Sequence, residues 1–470
     1  MYDIAIVGSG LSSKFFLSTL KKKGKKIALV SPENSKFESK PVYKNLNKYI
    51  QEILPPRFKK KEHISSVINF FRGNKIIPNN DCSIFGYLNN GGVSNYWGGS
   101  CEFLSERSIK FLNKKEKKQL INSFKSIYYM YNFTGEIFGE DNTNKSNSLN
   151  HLKLDPLFKE MIKNQSDKKI RFFQNCIASN FKNNKILKPT HINYKNSKGI
   201  KKFDYFVSSI EKIANFYHLN CVNNKKKMSI KAKKIVIAAG TISTTRLICQ
   251  ALNYTTPVTL DHNPMMFGLF FLKKKIKNEN FSSSKLAAKI FSKNKNNYCS
   301  INFRSSNSVI RKKIFSIFPQ IKNSLSKNLY KILENKMIFL NLYLDSKYGN
   351  LSFTLNNKNE IRVKVNKKKI NIIKKELNNN FKLLKNYLIK NNLIYPFAFK
   401  LFPKMGSDNH FTGTIPINGK NKKLSLNSNC ELKRLKNIYV IDGSAIPKNK
   451  SKFPTALIIS NAHRIGLNFK

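Results

Sequence analysis

Acidic residues are scarce in this chain. Its 470 residues include 26 Asp and Glu against 86 Lys and Arg, a formal net charge of +60. Such an excess points either to a polyanionic partner or to composition bias, because a bare count of charge says little about what a protein binds. The spread of the lysines favours bias: they run through the whole chain, among many Asn, Ile and Phe, and form no single basic arm. Some non-specific affinity for anions at low salt follows in either case. Cysteine is sparse too. The seven cysteines are scattered, odd in number and nowhere spaced C-x-x-C, so neither a disulfide framework nor a zinc site is indicated, and reduced, buried thiols are expected. No apolar run approaches the ~20 residues that span a bilayer. The start, "MYDIAIVGSG", places Asp3 before its apolar run with no basic region ahead of it, unlike a secretory signal, so cytoplasm is the expected location. Tryptophan occurs once, yet Trp97 sits with four glycines in "GGVSNYWGGS", residues 91–100. Glycine pairs let backbone turn sharply and approach a neighbour closely, so this loop either meets a flat ligand or forms a tight packing joint.

At this length two domains are expected. Residues 2–7, "YDIAIV", read as a buried strand; "GSGLSS" follows, then a helix, then a second strand at 26–30, "KIALV". Strand, glycine turn, helix and strand make the dinucleotide-binding pattern. Gly8 permits the tight turn, Gly10 lets backbone approach a pyrophosphate, and Ser13 takes the third small position, where the helix packs on the sheet. The helix N-terminus then faces the phosphates. An acidic residue ending the second strand would bond the ribose hydroxyls; that place holds Ser31, with Glu33 two residues on, so either Glu33 reaches back or Ser31 makes a neutral bond.

Residues 34–90 read as a loop-rich excursion and 105–170 as mostly helical. From 204 three alternating runs predict an antiparallel meander, followed by a buried strand at 235–239, Gly240, and a helix from Thr241. Residues 337–365 predict three antiparallel strands of one further sheet. Apolar residues at helical spacing (Ile370, Ile373, Leu377, Phe381, Leu384, Leu388) predict the next helix, and "LIYPFAF" a returning strand. A last strand, "IYVID", a Pro-bearing loop and a helix from Thr455 bring the chain back to its first domain.

Four blocks in this order resemble the glucose-methanol-choline (GMC) oxidoreductases, FAD-dependent enzymes that oxidise alcohols: "IAIVGSGLSS", "GGVSNYWGG", "IVIAAGTISTTRL" and "IYVIDGSAIP…FPTALIISNAHRI". "NHFTGT", 409–414, is similar to the family's active-site H-x-x-G-T stretch, and "GNLSFTLNNKNEIRVKV" to its substrate-sheet strands. The resemblance implies an α/β fold: a discontinuous FAD-binding Rossmann-like domain with a β-meander (1–105, 171–255 and 425–470) and an α+β substrate domain with an antiparallel sheet (106–170 and 256–424). It implies that Gly8, Gly10 and Ser13 hold the pyrophosphate, that Asn95, Trp97 and Gly98 lie near the flavin, and that Val207 presents backbone to adenine. Ala239 and Gly240 would pass under the dinucleotide, Asp442 and Gly443 would meet the ribityl-phosphate and flavin end, and Pro454 and Thr455 would run beside the pyrimidine edge. Tyr96 stands where some relatives carry a histidine bonded to the flavin, so FAD is expected to be bound non-covalently.

His410 is the implied general base; a neutral imidazole with an ordinary pKa of ~6.5 suits removal of a hydroxyl proton as hydride leaves carbon. The family's second His or Asn is replaced by Phe453, so activity rests on His410 alone, or is helped by Asn449 or Lys452, or is altered. The expected substrate is a small alcohol, including that of a sugar, with no sequence-specific nucleic acid and no metal. Contact with an anionic surface remains compatible with the charge. Two other readings stay open: a FAD-binding protein with lost or altered alcohol-oxidising activity, and a basic polyanion-binding protein on the same scaffold.

Overall fold

The structure is a computed structural model that describes residues 1–21, 24–33, 46–54, 61–101, 109–135, 154–163, 169–180, 185–192, 199–224, 226–276, 284–291, 298–305, 328, 333–448 and 453–469. Asn449 and Lys452 lie outside the described residues.

Short apolar runs build the first sheet. Tyr2–Val7 and Ile27–Val30 pair in parallel, and Tyr2–Val7 pairs in parallel with the end of the long strand Lys226–Ile237. Ile438–Val440, from near the C-terminus, pairs in parallel beside that same end, Val440 opposite Ile237. These strands are buried along nearly their whole length, which is why they read as continuous Ile, Ala and Val rather than as alternation. In the same sheet Lys226–Ile237 also pairs antiparallel with Phe216–Asn223, which pairs with Phe206–Ile213: the expected meander. Ile200–Phe203 adds a parallel edge strand beside Ile27–Val30 that the sequence pattern did not signal, since its middle residues are both lysine.

The helix Leu11–Thr19 packs against the C-terminal helix Thr455–Asn468 across a glycine. A Cβ on Gly466 would come within 2.2 Å of the Thr19 hydroxyl oxygen, which itself donates to the His463 carbonyl at 3.0 Å. The two chain ends are thereby locked together beneath the sheet.

A six-stranded antiparallel sheet forms the second layer, in the order Ile394–Leu401, Met265–Leu272, Met337–Tyr343, Tyr298–Ser305, Leu286–Phe291, Ile170–Gln174. The predicted helix, Ile370–Lys390, covers one face. Phe381 stacks on Phe270 at 5.1 Å and occupies the space beside Gly268, where a Cβ would lie 2.7 Å from its ring. Five of the six residues in its expected stripe are buried, Ile370 alone lying at the margin. The edge strand shows Tyr395, Phe397 (71 % exposed), Phe399 and Leu401 on its other face. Pro396 and Lys400 interrupt that edge, as edge strands require if they are not to pair with another chain.

Two expectations need correction. Met337–Tyr343 does not share a sheet with the next two strands; Leu351–Leu355 and Ile361–Val365 pair with each other and with Val258–Leu260 in a separate three-stranded sheet. Alternation fixes the faces of a strand but not its neighbours. Residues 34–90 are not only loop: Leu46–Ile53 and Lys61–Asn74 are helices, hidden by interspersed Lys and Asn but held by Leu46, Tyr49 and Ile50 and by Val67, Phe70 and Phe71, all buried. The 105–170 expectation gives Lys114–Met130, whose capping box pairs Asn113 with Glu116, and Pro156–Lys163. Among the described residues no helix is long and apolar enough to cross a membrane.

Candidate functional site

One cavity gathers the turns at the carboxyl ends of the parallel strands. It is lined by Gly8 and Gly10, Ser31, Val207, Ala239 and Gly240, His410, Asp442 and Gly443, and Pro454 and Thr455, eleven of the residues singled out in the sequence. The crevice outside strand ends is where open α/β sheets bind ligands.

Its glycines have different reasons. Gly8 has φ +102°, and a Cβ there would lie 2.3 Å from the Ala238 carbonyl oxygen, so glycine is required by protein packing. Gly10 has an ordinary φ of −70°, and a Cβ would meet nothing of the protein nearer than 3.5 Å, the Ser94 hydroxyl. Gly240, at φ +85°, faces open space. Bare backbone beside an open volume, at the start of two helices (Leu11–Thr19 and Thr241–Ala251), suits a pyrophosphate held by N–H groups and helix dipoles. The donor set therefore fits the phosphate portion of a dinucleotide.

The turn after Ile27–Val30 is built differently. Ser31 Oγ lies 2.7 Å from Ser9 Oγ, and Ser9 Oγ accepts the Gly91 N–H at 2.8 Å. Glu33 does not reach back: it is exposed, and its N–H donates to Asp204 Oδ1. Hydroxyls take the place of a carboxylate here, so of the two sequence options Ser31 is the one at the cavity.

Four further positions also lie apart from the cavity wall. Ser13 is fully buried and donates to the Gly10 carbonyl at 3.0 Å, which satisfies it within its own helix. Asn95 closes its own loop on the Asn90 carbonyl. Trp97 donates Nε1–H to the Leu187 carbonyl at 2.7 Å, and Gly98 follows it away from the cavity. The glycine-rich loop meets the cavity through residues 91–94, with φ of +83° and +54° at Gly91 and Gly92; its tryptophan is a packing joint.

Asp442 is buried and surrounded by internal donors. Oδ2 accepts the Gly240 N–H at 2.9 Å and the Thr244 hydroxyl; Oδ1 accepts the Ser444 N–H at 3.0 Å and the Ser444 hydroxyl. Burial raises its pKa, against the pull of those hydrogen bonds. Asp442 thus ties the turn after Lys226–Ile237 to the turn after Ile438–Val440, and its own backbone is what it offers the cavity. Arg246, quoted in the sequence only as part of a block, does a similar task. Its guanidinium is buried, donates to the Val207 and Ser208 carbonyls at 2.8 and 2.7 Å, and lies over the Phe206 ring at 5.1 Å. A lone arginine within a helix of apolar and hydroxyl residues was the available signal.

His410 lines the cavity on a loop pinned from two sides. Thr241 Oγ1 donates to the Phe411 carbonyl at 2.6 Å, Thr245 and Thr414 hydroxyls meet at 2.6 Å, and the Gly413 N–H donates to the Gly443 carbonyl. Phe453 packs edge-on to the His410 ring at 5.3 Å, and Tyr343 lies 5.8 Å away. The chain just after the strand Val258–Leu260 runs against this loop, with reciprocal backbone bonds between Asp261 and Thr412. Burial pushes the Asp261 carboxyl from 3.8 up to about 6, its Oδ1 lacking a hydrogen-bond partner among the described residues. Because the folded value lies above the unfolded one, this group's stabilising contribution is complete below 3.8 and is lost as pH rises through about 6. Asp261→Asn is expected to match the parent at pH 4 and to exceed it at pH 8 by on the order of 2 kcal/mol. Denaturant melts at the two pH values test this; a variant no more stable at pH 8 would mean that the charge is already compensated.

Among the described residues no cluster of three or more His, Cys, Asp or Glu could hold a metal. Residues 389–462, which contain His410, Asp442, Pro454 and Thr455, match the family profile described as GMC oxidoreductase. No curated protein sequence matches the chain. Among solved structures it is similar to pyridoxine 4-oxidase from Mesorbium loti, with a TM-score of 0.59 and 11 % identity over 100 % of this chain and 99 % of that one. At that identity the likeness speaks to fold, and it runs the full length of both chains. The chain is thus similar to the GMC oxidoreductases in its C-terminal segment, residues 389–462, and shares the fold of pyridoxine 4-oxidase over its whole length.

Proposed function

We propose that the protein is an FAD-dependent oxidoreductase that oxidises an alcohol, with His410 as general base. The observation that carries this reading is the lining of a single cavity: His410 shares it with the Gly8–Gly10 turn and with the helix starts suited to a pyrophosphate. In this reading the first-sheet unit binds the cofactor and the six-stranded sheet belongs to the substrate side. Gly10, Gly240 and the two helix N-termini hold the phosphates; Ser31 and Ser9 offer hydroxyls to the ribose; the backbones of Val207 and Gly443 flank the remainder. FAD bound there supplies a hydride acceptor at N5. His410 takes the hydroxyl proton while the C–H electron pair departs with its hydrogen, so the alcohol becomes a carbonyl and two electrons leave it. Phe453 and Tyr343 keep water from one side of the imidazole. Tyr96, in the place of a linking histidine, packs tilted against Tyr87 at 4.5 Å and leaves the cofactor non-covalent.

A visible spectrum of purified protein is the test. Flavin absorbance released by denaturation, and bleached anaerobically by one of a panel of alcohols (glucose, benzyl alcohol, and pyridoxine, after the similar structure), is expected. Folded protein that is colourless and takes up no FAD would end the reading.

A further inference from the structure

The edge strand Ile394–Leu401 carries an apolar row that the fold does not cover. Tyr395, Phe397, Phe399 and Leu401 alternate with Pro396, Ala398 and Lys400, so the four share one face. It is the face turned away from the helix Ile370–Lys390. Ala398 pairs with Phe270, which stacks on Phe381 of that helix, and Lys400 Nζ donates to Asn378 Oδ1 on the same helix at 2.7 Å. On the other face Phe397 is 71 % exposed and Phe399 52 %, with Tyr395 and Leu401 exposed as well. Single exposed apolar side chains are ordinary, but a contiguous row of them marks a surface that something meets. Phe399 packs edge-on to the half-buried Phe271 of the neighbouring strand at 6.1 Å, which widens the row into a patch. At ~3.3 Å per residue its length is about 20 Å.

The border of the patch is basic beyond the composition of the chain. Residues 367–404 contain ten Lys and a single acid, Glu376. Lys273 follows the neighbouring strand Met265–Leu272; its N–H donates to the Leu393 carbonyl at 3.1 Å, and its Nζ lies 5.9 Å from the centre of the Tyr395 ring. Lys274 and Lys275 come next. The acids Glu160 and Glu52 each meet one of these lysines, Lys274 at 2.8 Å and Lys404 at 3.5 Å, and leave the excess positive. Lysines alone would carry nothing in so basic a chain. Composition does not account for rings held out in one row among them.

We propose that this row docks the protein on an anionic lipid bilayer, the rings entering the headgroup region while the surrounding lysines face acidic headgroups. Aromatic side chains favour that zone, and the negative surface potential attracts lysines close to it. The long lysine stems can lie along the apolar boundary with their ammonium groups in water. A second copy of the chain fits less well. Pro396 has no N–H to offer along the edge, and two copies would set the same lysines against each other, whereas an anionic surface neutralises them. The docked surface also adjoins the cavity loop. Leu401 pairs with Phe267, Phe267 with Asn341, and Asn341 lies two residues from Tyr343, which is 5.8 Å from His410.

Co-sedimentation of the full chain with phosphatidylcholine vesicles, with and without phosphatidylglycerol, at physiological salt tests this. Binding only to the mixed vesicles is expected, and the double variant Phe397→Ser/Phe399→Ser is expected to bind them at least about tenfold more weakly. Both side chains are more than half exposed, so the variant is expected to melt with the parent. Phe397→Trp reads the depth: with the emission of Trp97 in the parent subtracted, its fluorescence is expected to shift to the blue and to be quenched by lipids brominated on their acyl chains. Equal binding by the double serine variant would reduce the attraction to charge alone and overturn the proposal. Tryptophan emission unmoved by vesicles would overturn it too. So would a dimer of the parent in lipid-free solution that the serine variant dissolves, which would give the row to a second copy. The docking needs neither cofactor nor turnover: colourless protein that still binds through the row would uphold it while ending the flavoenzyme reading.

Discussion

His410→Ala is expected to retain FAD and to slow flavin reduction by alcohols about 10²–10⁴-fold, the usual contribution of a positioned general base. The retention matters as much as the loss. His410 lines the cavity on a loop whose anchors are other residues: the Thr241 and Thr245 hydroxyls, the Gly443 carbonyl and the Asp261 backbone. Deleting the imidazole leaves these in place, removes a ring that packs against Phe453 and Tyr343, and leaves the glycine turns that would hold the phosphates untouched. Anaerobic stopped-flow with the best alcohol from the panel, at a pH above the histidine's titration, separates the outcomes. An unchanged reduction rate would show that the hydroxyl proton goes elsewhere. Loss of the flavin itself would show that the imidazole supports the cofactor rather than the chemistry.

How much of this could be seen in the sequence depended on whether the signal was local. The start of the first sheet was legible because its pattern is written in adjacent residues: an apolar run, Gly8 and Gly10, and a helix. The meander and the helix Ile370–Lys390 were legible from periodicities of two and of 3.6. What escaped was non-local or depended on the absence of a pattern. Strand Ile200–Phe203 carries lysines where a buried strand would not, because it lies at a sheet edge. Asp408 and His262 are 146 residues apart and match no motif; the pairing of Asp261 with Thr412 and the Asn263 N–H bond to Asp408 bring them together. Trp97 shares its loop with four glycines, which leave a ligand contact and a packing joint equally open, and only the resemblance implies a place near the flavin. Gly91 and Gly92 are the two of those glycines that meet the cavity, and beyond them the indole turns to the Leu187 carbonyl. Arg246 and Asp442 illustrate the same limit from the other side: both line or border the cavity, yet their polar atoms are used to fasten backbone to backbone.

Gly8→Ala and Gly10→Ala are expected to fail in different ways, although they stand two residues apart in one turn. At Gly8 the new methyl would sit 2.3 Å from the Ala238 carbonyl oxygen and 3.0 Å from Ala239 Cα, where the ends of the two central parallel strands cross. Neither atom is the far end of a flexible side chain, so backbone must move, and φ +102° is strained for any residue with a Cβ. The two costs together are at least about 3 kcal/mol, a large part of the stability of an ordinary domain. Low soluble yield and a melting temperature depressed by several degrees are expected whether or not FAD is added. At Gly10 none of this applies: φ is −70° and the nearest protein atom is at 3.5 Å. The apoprotein of Gly10→Ala should melt with the parent. The added methyl instead occupies the open side of the turn, where a pyrophosphate oxygen would approach the N–H groups of the helix Leu11–Thr19, so FAD occupancy after dialysis is expected to fall at least about tenfold, a loss of only ~1.4 kcal/mol of binding. Gly24→Ala supplies the control for backbone strain alone, with φ +72° and nothing within 4 Å, and should cost the fold about 1 kcal/mol. If Gly10→Ala binds FAD as the parent does, the open volume beside that turn does not receive the phosphates, and the assignment of the cavity to a dinucleotide loses its physical basis.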